Sequence, residues 1–269
     1  MTGQLIIHDS VIELGIKKPF DFLHITDAHI DINSSSGTQY GIYYFERAME
    51  FAEKNNLLVL CTGDNFKWYS ETNYEYAINN FYGENNIIIP GNHDFCSFPN
   101  NDGLGNEDKS EIYMKKWSKC YKMNLYFDSK IVNNINFVTL QNIYYSISRK
   151  QIQLLKKEVD KGYPIILCMH IPLFSSKKAS EMLDAGRPCG YMLATPEEYC
   201  VKYIKSHADE QSANEETSEA VEYIKKEFQI KAIIAGHIHE DFDGFADCGK
   251  RQITTDMLYK GVARRIKII

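Results

Sequence analysis

The sequence predicts an α/β protein in which two mixed β-sheets are flanked by helices. Two patterns lead to this prediction. Short apolar runs, as buried strands have, alternate with amphipathic helical segments, and a polar signature directly follows most of the apolar runs. The second half also contains a predicted hairpin and closing antiparallel strands, so the sheets are expected to be mixed. The chain has 269 residues, of which 44% are apolar, and can therefore bury one large core. Residues 1–269 are predicted to form a single domain.

The first half of the chain alternates predicted strands with helices. Residues 20–26, 57–61 and 87–89 have the apolar content of strands, while residues 43–54 and 74–82 have helical periodicity. A polar turn follows each of these strands. Since open α/β sheets bind ligands at the carboxyl ends of their strands, we expect the chemistry in these loops.

The second half is predicted to repeat this alternation with more antiparallel pairing. A hairpin is expected over residues 131–141, with its turn near Asn133 and Asn134, and Ser148 is expected to cap the helix that follows. The remaining elements, in chain order, are that helix to about residue 161, a strand over 164–169, a helix over 216–228 with Ala220, Ile224 and Phe228 on one face, a strand over 230–235, and closing antiparallel strands from 244 to 266.

Two long segments interrupt the predicted elements, at residues 95–109 and 173–215. The first is rich in Asn, Asp and Gly, and the second contains a capping box begun by Thr195 with proline at the next position. Long loops inside compact domains are usually functional or disordered. Because both segments leave directly from polar signatures, we interpret them as loop insertions that form walls or a lid over a site. Mobile surface insertions are the alternative.

Composition limits the function classes. The net charge of −6 makes a long track for polymeric nucleic acid unfavourable, although a local positive site is compatible with it. The seven cysteines include no CxxC pair, and four of them, at positions 61, 96, 168 and 248, lie in or beside the motif-bearing stretches, as buried thiols in a reducing compartment would. The first residues lack the pattern of a secretion signal, and no run is long enough to span a membrane. A cytoplasmic protein is therefore expected.

Five polar signatures that follow apolar runs carry the candidate site. They are Asp27-Ala28-His29, Gly63-Asp64, Gly91-Asn92-His93-Asp94, His170 and Gly236-His237-Ile238-His239. Without His93 and Asp94, they supply two carboxylates, one amide and four imidazoles. Such mixed ligands without thiolate suit manganese, iron or zinc at a paired site better than a structural zinc. Two divalent metal ions are the predicted cofactors, with their identity open among these three.

The spacing of the ligands supports a paired site. In an extended segment, residues i and i+2 point the same way and lie roughly 6.5 Å apart. Asp27 with His29, and His237 with His239, would then each present two ligands to one side. A carboxylate such as Asp64 can bridge two divalent ions held roughly 3.5 to 4 Å apart.

Each signature also has a plainer interpretation. A lone Asp-x-His is frequent on surface turns, Gly63-Asp64 alone is most often a turn, and His170 alone is most often a hydrogen-bonded buried histidine. The two signatures that begin Gly91 and Gly236 are more specific, because glycine permits tight turns that present several polar groups together. The joint occurrence of all five, in order, favours the metal site. No such pattern surrounds the remaining histidines, and no role is assigned to His8, His24 and His207.

The ordered set D-x-H, G-D, G-N-H-D, H and G-H-x-H, from Asp27 to His239, resembles the calcineurin-like metallophosphoesterase superfamily. The resemblance implies a four-layer αββα sandwich with the ligands on loops at one edge. It also implies the ligands of each ion: Asp27, His29 and His239 for one, Asn92, His170 and His237 for the other, with Asp64 as the bridge. By the same resemblance, His93 would approach the scissile ester without binding metal, and Asp94 would orient it.

One position departs from the family's pattern. Family members commonly place a further Asp or Asn a few residues beyond the G-D step, whereas this chain continues with Asn65, Phe66, Lys67 and Trp68. Asn65 could substitute in part. The departure leaves the expected metal ligands intact. It concerns the side chains that support the loop after Asp64.

The resemblance implies an enzyme that hydrolyses a phosphoester by attack of a metal-bridging hydroxide, with His93 as acid or electrostatic stabiliser. A small soluble phosphodiester or phosphomonoester is the predicted substrate. Two rival classes are a non-catalytic scaffold of the same fold that binds a protein partner, and a regulatory nucleotide-binding module. The scaffold is disfavoured because every ligand position is filled, and the module because no glycine-rich phosphate motif occurs.

Two groups of side chains are candidates for substrate contacts. Three aromatic residues follow signatures closely enough to stack on a base, with core packing as the alternative, namely Tyr40, Tyr43 and Trp68. Three cations in the segment after His170 could meet a second phosphate or an acidic substrate, with a solvated loop as the alternative, namely Lys177, Lys178 and Arg187.

Overall fold

Two mixed β-sheets form the centre of the protein. The computed structural model describes residues 3–33, 39–81, 86–95, 107–186, 192–199 and 212–269. Within these residues the strands are β1 (Ile6–Ile12), β2 (Phe20–Ile25), β3 (Leu58–Cys61), β4 (Asn86–Ile88), β5 (Phe127–Val132), β6 (Ile135–Leu140), β7 (Ile165–Cys168), β8 (Ile230–Ala235), β9 (Phe242–Phe245), β10 (Arg251–Thr254) and β11 (Val262–Ile268). The helices are α1 (Gln39–Lys54), α2 (Glu71–Asn80), α3 (Glu107–Tyr121), α4 (Arg149–Val159), α5 (Ser176–Asp184) and α6 (Glu215–Lys226).

Strand pairing gives each sheet both parallel and antiparallel neighbours. The first sheet has the order β1-β11-β2-β3-β4, and the second has the order β5-β6-β7-β8-β10-β9. In the first sheet β2, β3 and β4 run parallel, and in the second β6, β7, β8 and β10 run parallel. The carboxyl ends of these parallel strands therefore lie together at one edge of each sheet.

Three apolar cores hold the layers together. Side chains of both sheets fill the first core, in which the rings of Phe22 and Phe137 meet edge to face with centroids 5.3 Å apart. The second core lies between the first sheet and helices α1 to α3, and it includes the fully buried Trp117. The third lies between the second sheet and helices α4 and α6. The layers are thus helix, sheet, sheet and helix, as the family resemblance implies.

Most predicted elements are confirmed. The strand predicted over residues 230–235 has those bounds, and the other predicted strands and helices are shifted by one to four residues at their ends. Asn133 and Asn134 form the hairpin turn with φ of 48° and 63°, the left-handed conformation that a two-residue turn of this type requires. Ser148 caps α4 in a reciprocal capping box with Gln151.

Three expectations about the elements need correction. Strand β1 was not predicted, and it pairs in parallel with β11 at the edge of the first sheet. The closing strands are only partly antiparallel: β11 is antiparallel to β2, and β10 is antiparallel to β9 but parallel to β8. Phe228 does not share the buried face of α6, because the helix ends at Lys226 and leaves the Phe228 side chain 78% exposed.

The two segments interpreted as loop insertions contain regular structure in their described parts. Helix α3 begins at Glu107, inside the first segment, while residues 96–106 lie outside the described part of the chain. The second segment contains α5 and the buried Leu193, which forms an isolated bridge with Leu173. Residues 187–191 and 200–211, with Arg187 and His207, lie outside the described residues. Periodicity over so few residues did not reveal α5.

His24 and three of the four described cysteines are buried. His24 is fully buried, its ring bonds the hydroxyls of Thr255 and Thr62 at 2.7 and 2.8 Å, and burial lowers its pKa to about 3. All four described cysteines are free. Cys61, Cys120 and Cys168 are buried, whereas Cys248, which was expected to be buried, is only partly buried. Cys96 lies outside the described residues. Among the described residues, no helix combines the length and apolar character needed to cross a membrane.

Candidate metal centre

The polar signatures meet where the parallel strands of the two sheets end. In the first sheet, Asp27, Asp64 and Asn92 follow β2, β3 and β4, and in the second, His170 and His237 follow β7 and β8. Because the sheets pack face to face, their strand ends lie side by side. The donor atoms of the seven predicted ligands form two neighbouring groups.

The first donor group consists of Asp27, His29, Asp64 and His239, whose ligand atoms all lie within 4.8 Å of one another. His239 Nε2 is 3.3 Å from His29 Nε2 and 3.1 Å from Asp27 Oδ1. His29 Nε2 is 3.9 Å from Asp64 Oδ2. Two imidazole nitrogens and two carboxylates therefore converge on one point.

The second donor group consists of Asp64, His170 and His237, again with ligand atoms within 4.8 Å of one another. His170 Nε2 lies 3.1 Å from His237 Nδ1 and 3.4 Å from Asp64 Oδ1. Asn92 Oδ1 lies 3.2 Å from the same His170 nitrogen, so the amide completes this group.

These separations fit metal coordination. Around an ion with bonds of about 2.1 Å, adjacent donor atoms lie about 3.0 to 3.4 Å apart. The four shortest separations in the two groups, from 3.1 to 3.3 Å, fall in this range. Asp64 is shared, since Oδ2 faces the first group while Oδ1 faces the second. The donor set therefore fits two ions with one bridging carboxylate.

The backbone at five of the seven expected ligands is left-handed, not extended. Five ligand residues have positive φ: Asp27 at 53°, His29 at 45°, Asp64 at 50°, His237 at 68° and His239 at 55°. The extended geometry expected at the two signatures is therefore wrong. His239 lies in the first group and His237 in the second, the division that the family resemblance implies. Such conformations cost about 1 to 3 kcal/mol each and persist only where the surroundings impose them.

Two glycines permit the close approach of the loops. A Cβ on Gly91 would collide with the backbone and carboxylate of Asp64. A Cβ on Gly236 would collide with Thr26 Oγ1 and would lie 2.7 Å from Asp27 Oδ2. The glycines of these signatures are thus needed for contact between loops.

Hydrogen bonds fix the orientation of two histidine rings. His170 Nδ1 lies 2.7 Å from the carbonyl oxygen of Thr62, an acceptor, so Nδ1 carries a hydrogen and Nε2 faces the donor group. His237 Nε2 lies 2.7 Å from Tyr145 Oη, on the side of the ring away from the donor group. The sequence analysis did not identify Tyr145, because no polar signature surrounds it and it lies 92 positions from His237.

The buried carboxylates are held in their charged form by neighbouring histidines. Burial opposes ionisation of Asp64, yet the positive charges of His170 and His93 keep its pKa well below the usual range. Burial likewise opposes ionisation of Asp27, and the charge and hydrogen bond of His239 lower its pKa. Both acids are therefore present as carboxylates at neutral pH, as cation ligands must be.

The pKa values of the histidines at the site shift in opposite directions. Burial would lower the pKa of His170, but the negative charge of Asp64 raises it to about 9. Burial lowers the pKa of His237 to about 3 and that of His29 to about 4. The site thus contains two buried carboxylates surrounded by imidazoles, a donor set that suits divalent cations.

Comparison with known proteins decides the family. Residues 20–241 match the calcineurin-like phosphoesterase family. The chain belongs to this family. The match confirms the resemblance that the five signatures carry, and the two donor groups together with it support a metal-dependent phosphoesterase.

Two solved structures show the same fold. A dimetal phosphatase from Danio rerio is 12% identical, with 90% of this chain and 88% of that chain covered and a TM-score of 0.51. A purple acid phosphatase from yellow lupin (Lupinus luteus) seeds is 11% identical, with 91% of this chain and 44% of that chain covered and a TM-score of 0.53. The chain therefore spans less than half the length of the lupin protein. No curated protein sequence matches this chain.

The two residues of the calcineurin-like signature that are not expected to bind metal have different surroundings. His93 is partly buried, and its ring lies edge to face with that of His29, with centroids 4.7 Å apart. Its Nδ1 donates to the Lys67 carbonyl at 3.1 Å. Asp94 is buried and accepts from the backbone N–H groups of Gly91 and Phe66 at 2.8 and 2.9 Å. The His93 ring is therefore hydrogen-bonded to the Lys67 carbonyl, whereas Asp94 accepts from backbone N–H groups.

Asn65 supplies support at the position where this chain departs from the family's pattern. Its side-chain amide donates to the Ile89 carbonyl at 3.2 Å and lies 3.5 Å from Asp94 Oδ2. Asn65 thus connects the loop after β3 with the loop after β4. Burial and the charge of Asp64 raise the pKa of Asp94 to about 7.

The candidate substrate contacts are partly ruled out. Lys178 is buried and paired with Glu240 at 2.6 Å, so it is neither a solvated residue nor a free cation, whereas Lys177 is exposed. Among the aromatic residues, Tyr43 packs on Tyr44 with centroids 5.1 Å apart, which favours core packing.

We expect Asp64→Ala to lower the content of both ions, because its two oxygens face both donor groups. Metal content after dialysis against Mn²⁺ should fall from two ions toward none. Asp160→Ala, which removes an exposed carboxylate at the end of α4, is the control and should keep the full content. Two retained ions in Asp64→Ala would contradict the bridging role.

We expect Tyr145→Phe to weaken the binding of one ion about 10-fold, the usual scale for a hydrogen-bond partner of a metal ligand. The aromatic ring at position 145 keeps its packing, but the N–H at His237 Nε2 loses its acceptor. The tautomer that carries its hydrogen on Nε2 and leaves Nδ1 free to bind metal is then no longer favoured. Calorimetric titration with Mn²⁺ measures the two affinities. Tyr144→Phe removes the hydroxyl of the adjacent residue and should leave both unchanged.

Proposed function

We propose that this protein is a dinuclear-metal phosphohydrolase that cleaves a small soluble phosphodiester or phosphomonoester. The observation that carries the proposal is the Asp64 carboxylate, placed between two donor groups in which all seven expected ligands converge. When bound, two divalent ions neutralise phosphate oxygens and lower the pKa of water so that it can attack phosphorus near neutral pH.

The ligand loops would hold the ions and thereby orient the ester. Asp27 is ready for this task, because Thr26 Oγ1 and the His237 N–H donate to its Oδ2 at 2.6 and 2.9 Å and leave Oδ1 toward the donor group. Manganese, iron and zinc all suit the mixed imidazole, carboxylate and amide set. The metal is therefore one of these three in the proposal.

His93 would act on the leaving oxygen. Its Nδ1–H donates to the Lys67 carbonyl, which leaves Nε2 as the atom that can carry a proton to a substrate. The contact with the His29 ring places it beside the first donor group. Asp94 would contribute by fixing the loop that carries His93 and Asn92, through its bonds to Gly91 and Phe66.

The net charge and the cysteines support the proposed substrate class and the proposed location. A net charge of −6 favours small anions that reach a local metal site over polymeric nucleic acid. Free buried thiols are compatible with the reducing conditions of the cytoplasm, which is the proposed location.

The test is an assay of metal content followed by hydrolysis. The purified protein is treated with a chelator, reloaded separately with Mn²⁺, Fe²⁺ or Zn²⁺, and assayed on a monoester, a bis-ester, cyclic nucleotides and dinucleotides. Asp64→Ala, purified in parallel, sets the background from contaminating phosphatases. Tight binding of two ions without turnover on any substrate would refute hydrolysis and favour the alternative, a non-catalytic scaffold that binds a protein partner.

We expect His93→Ala to retain both ions and to lose about 100-fold or more in kcat, the usual scale for general acid catalysis. The loss should be smaller for substrates with a good leaving group, because such groups need no proton. Steady-state kinetics on two esters with different leaving groups, with metal content measured on the same samples, checks this. Full activity with unchanged metal content would remove His93 from the mechanism.

A further inference from the structure

Helix α5 packs on the histidine loop, defined here as residues 236–241. The middle of this loop, Ile238, lies between the two histidine ligands and is only 6% exposed. Its side chain belongs to an apolar cluster whose other buried members are Phe174, Ala179, Met182 and Met192. Since Ala179 and Met182 are on α5, the helix covers the apolar side of the loop.

An ion pair joins α5 to the same loop. Lys178 Nζ lies 2.6 Å from Glu240 Oε2, one residue after His239, and donates to the Asp241 carbonyl at 3.2 Å. The side chains of Lys178 and Glu240 are 6% and 17% exposed. A pair so shielded from water is held more strongly than a surface pair, and losing one partner leaves a costly buried charge.

The amino-terminal end of α5 is itself fixed. Ser175 caps the helix by accepting from the Lys178 N–H, and its hydroxyl donates to the Phe245 carbonyl at 2.9 Å. The Ser176 N–H donates to Asp247 Oδ1 at 2.8 Å. Phe245 and Asp247 belong to the β9–β10 hairpin of the second sheet, so α5 is attached to the fold and not only to the loop.

The histidine loop needs such support because its ligands are strained. His237 and His239 both have positive φ, at an expected cost of about 1 to 3 kcal/mol each. We propose that Lys178 is a positioning residue, which holds the histidine loop through Glu240 and so sets the affinity of the first donor group for its ion. The inference rests on the proposed metal centre, but it does not require that the protein hydrolyse an ester.

Direct contact between Lys178 and a substrate phosphate is the competing role. The ammonium already has Glu240 and the Asp241 carbonyl as partners, and Glu181 Oε2 lies 3.5 Å away. An anion would have to displace a carboxylate that is 17% exposed. The observed contacts therefore favour positioning of the loop.

Lys178→Met distinguishes positioning from simple electrostatics by the sign of its effect. Removal of a cation near a cation site would by itself strengthen ion binding. Loss of the loop's support instead weakens it, and we expect about 10-fold weaker binding of one ion. Calorimetric titration with Mn²⁺ gives the affinities, and the absorption spectrum of the Co²⁺-loaded protein reports the changed ligand geometry. His239→Ala identifies which of the two ions is affected.

The matched control is Lys177→Met, which removes the same charge from the exposed neighbour on the same helix. It should leave both affinities and the Co²⁺ spectrum unchanged. Unchanged or tighter ion binding in Lys178→Met would overturn the proposal. Failure of the wild-type protein to bind two ions would instead remove the metal centre, and absence of hydrolysis alone would leave the positioning role intact.

A double variant covers the case in which Lys178→Met does not fold. Lys178→Met combined with Glu240→Gln removes both charges, keeps the net charge and leaves no unpaired buried carboxylate. We expect its thermal stability to recover while the affinity for the affected ion stays about 10-fold below that of the wild type. Wild-type affinity in this double variant would refute the positioning role.

Discussion

The Asp64 carboxylate is the constraint on which the site depends. It is buried, with 1% of its surface exposed, and each of its oxygens faces a different donor group. A buried carboxylate is costly unless cations or hydrogen bonds compensate it. The loop after β4 provides such a bond from the His93 N–H at 2.8 Å, and a side chain at Gly91 would prevent that approach.

Support for the ligands comes largely from outside the signatures that contain them. The Thr62 carbonyl orients His170, and Tyr145 contacts His237 from the loop after β6. Helix α5 covers the histidine loop in the same way. Left-handed ligand residues are strained, and these contacts from several elements explain how the loops keep one conformation.

The sequence analysis located the strands that lead to the expected ligands because each one is a short apolar run followed by one of the polar signatures. It missed β1, since His8, Asp9 and Ser10 interrupt its apolar run and a buried position is taken by the polar Ser10. It also missed α5, because nine helical residues inside a long polar segment have too few turns to show a period. The extended geometry assumed for the histidine signatures was wrong, as local spacing does not report φ.

The sequence by itself identified the candidate site residues and their order, because ligand type and position after an apolar run are local properties. It could also determine the family, since the five signatures occur together. Only the tertiary structure decided the backbone conformation of the expected ligands and which side chains outside the signatures hold them. Those contacts join residues such as Tyr145 and His237, or Lys178 and Glu240, that are far apart in the chain and meet only when the two sheets and their helices pack.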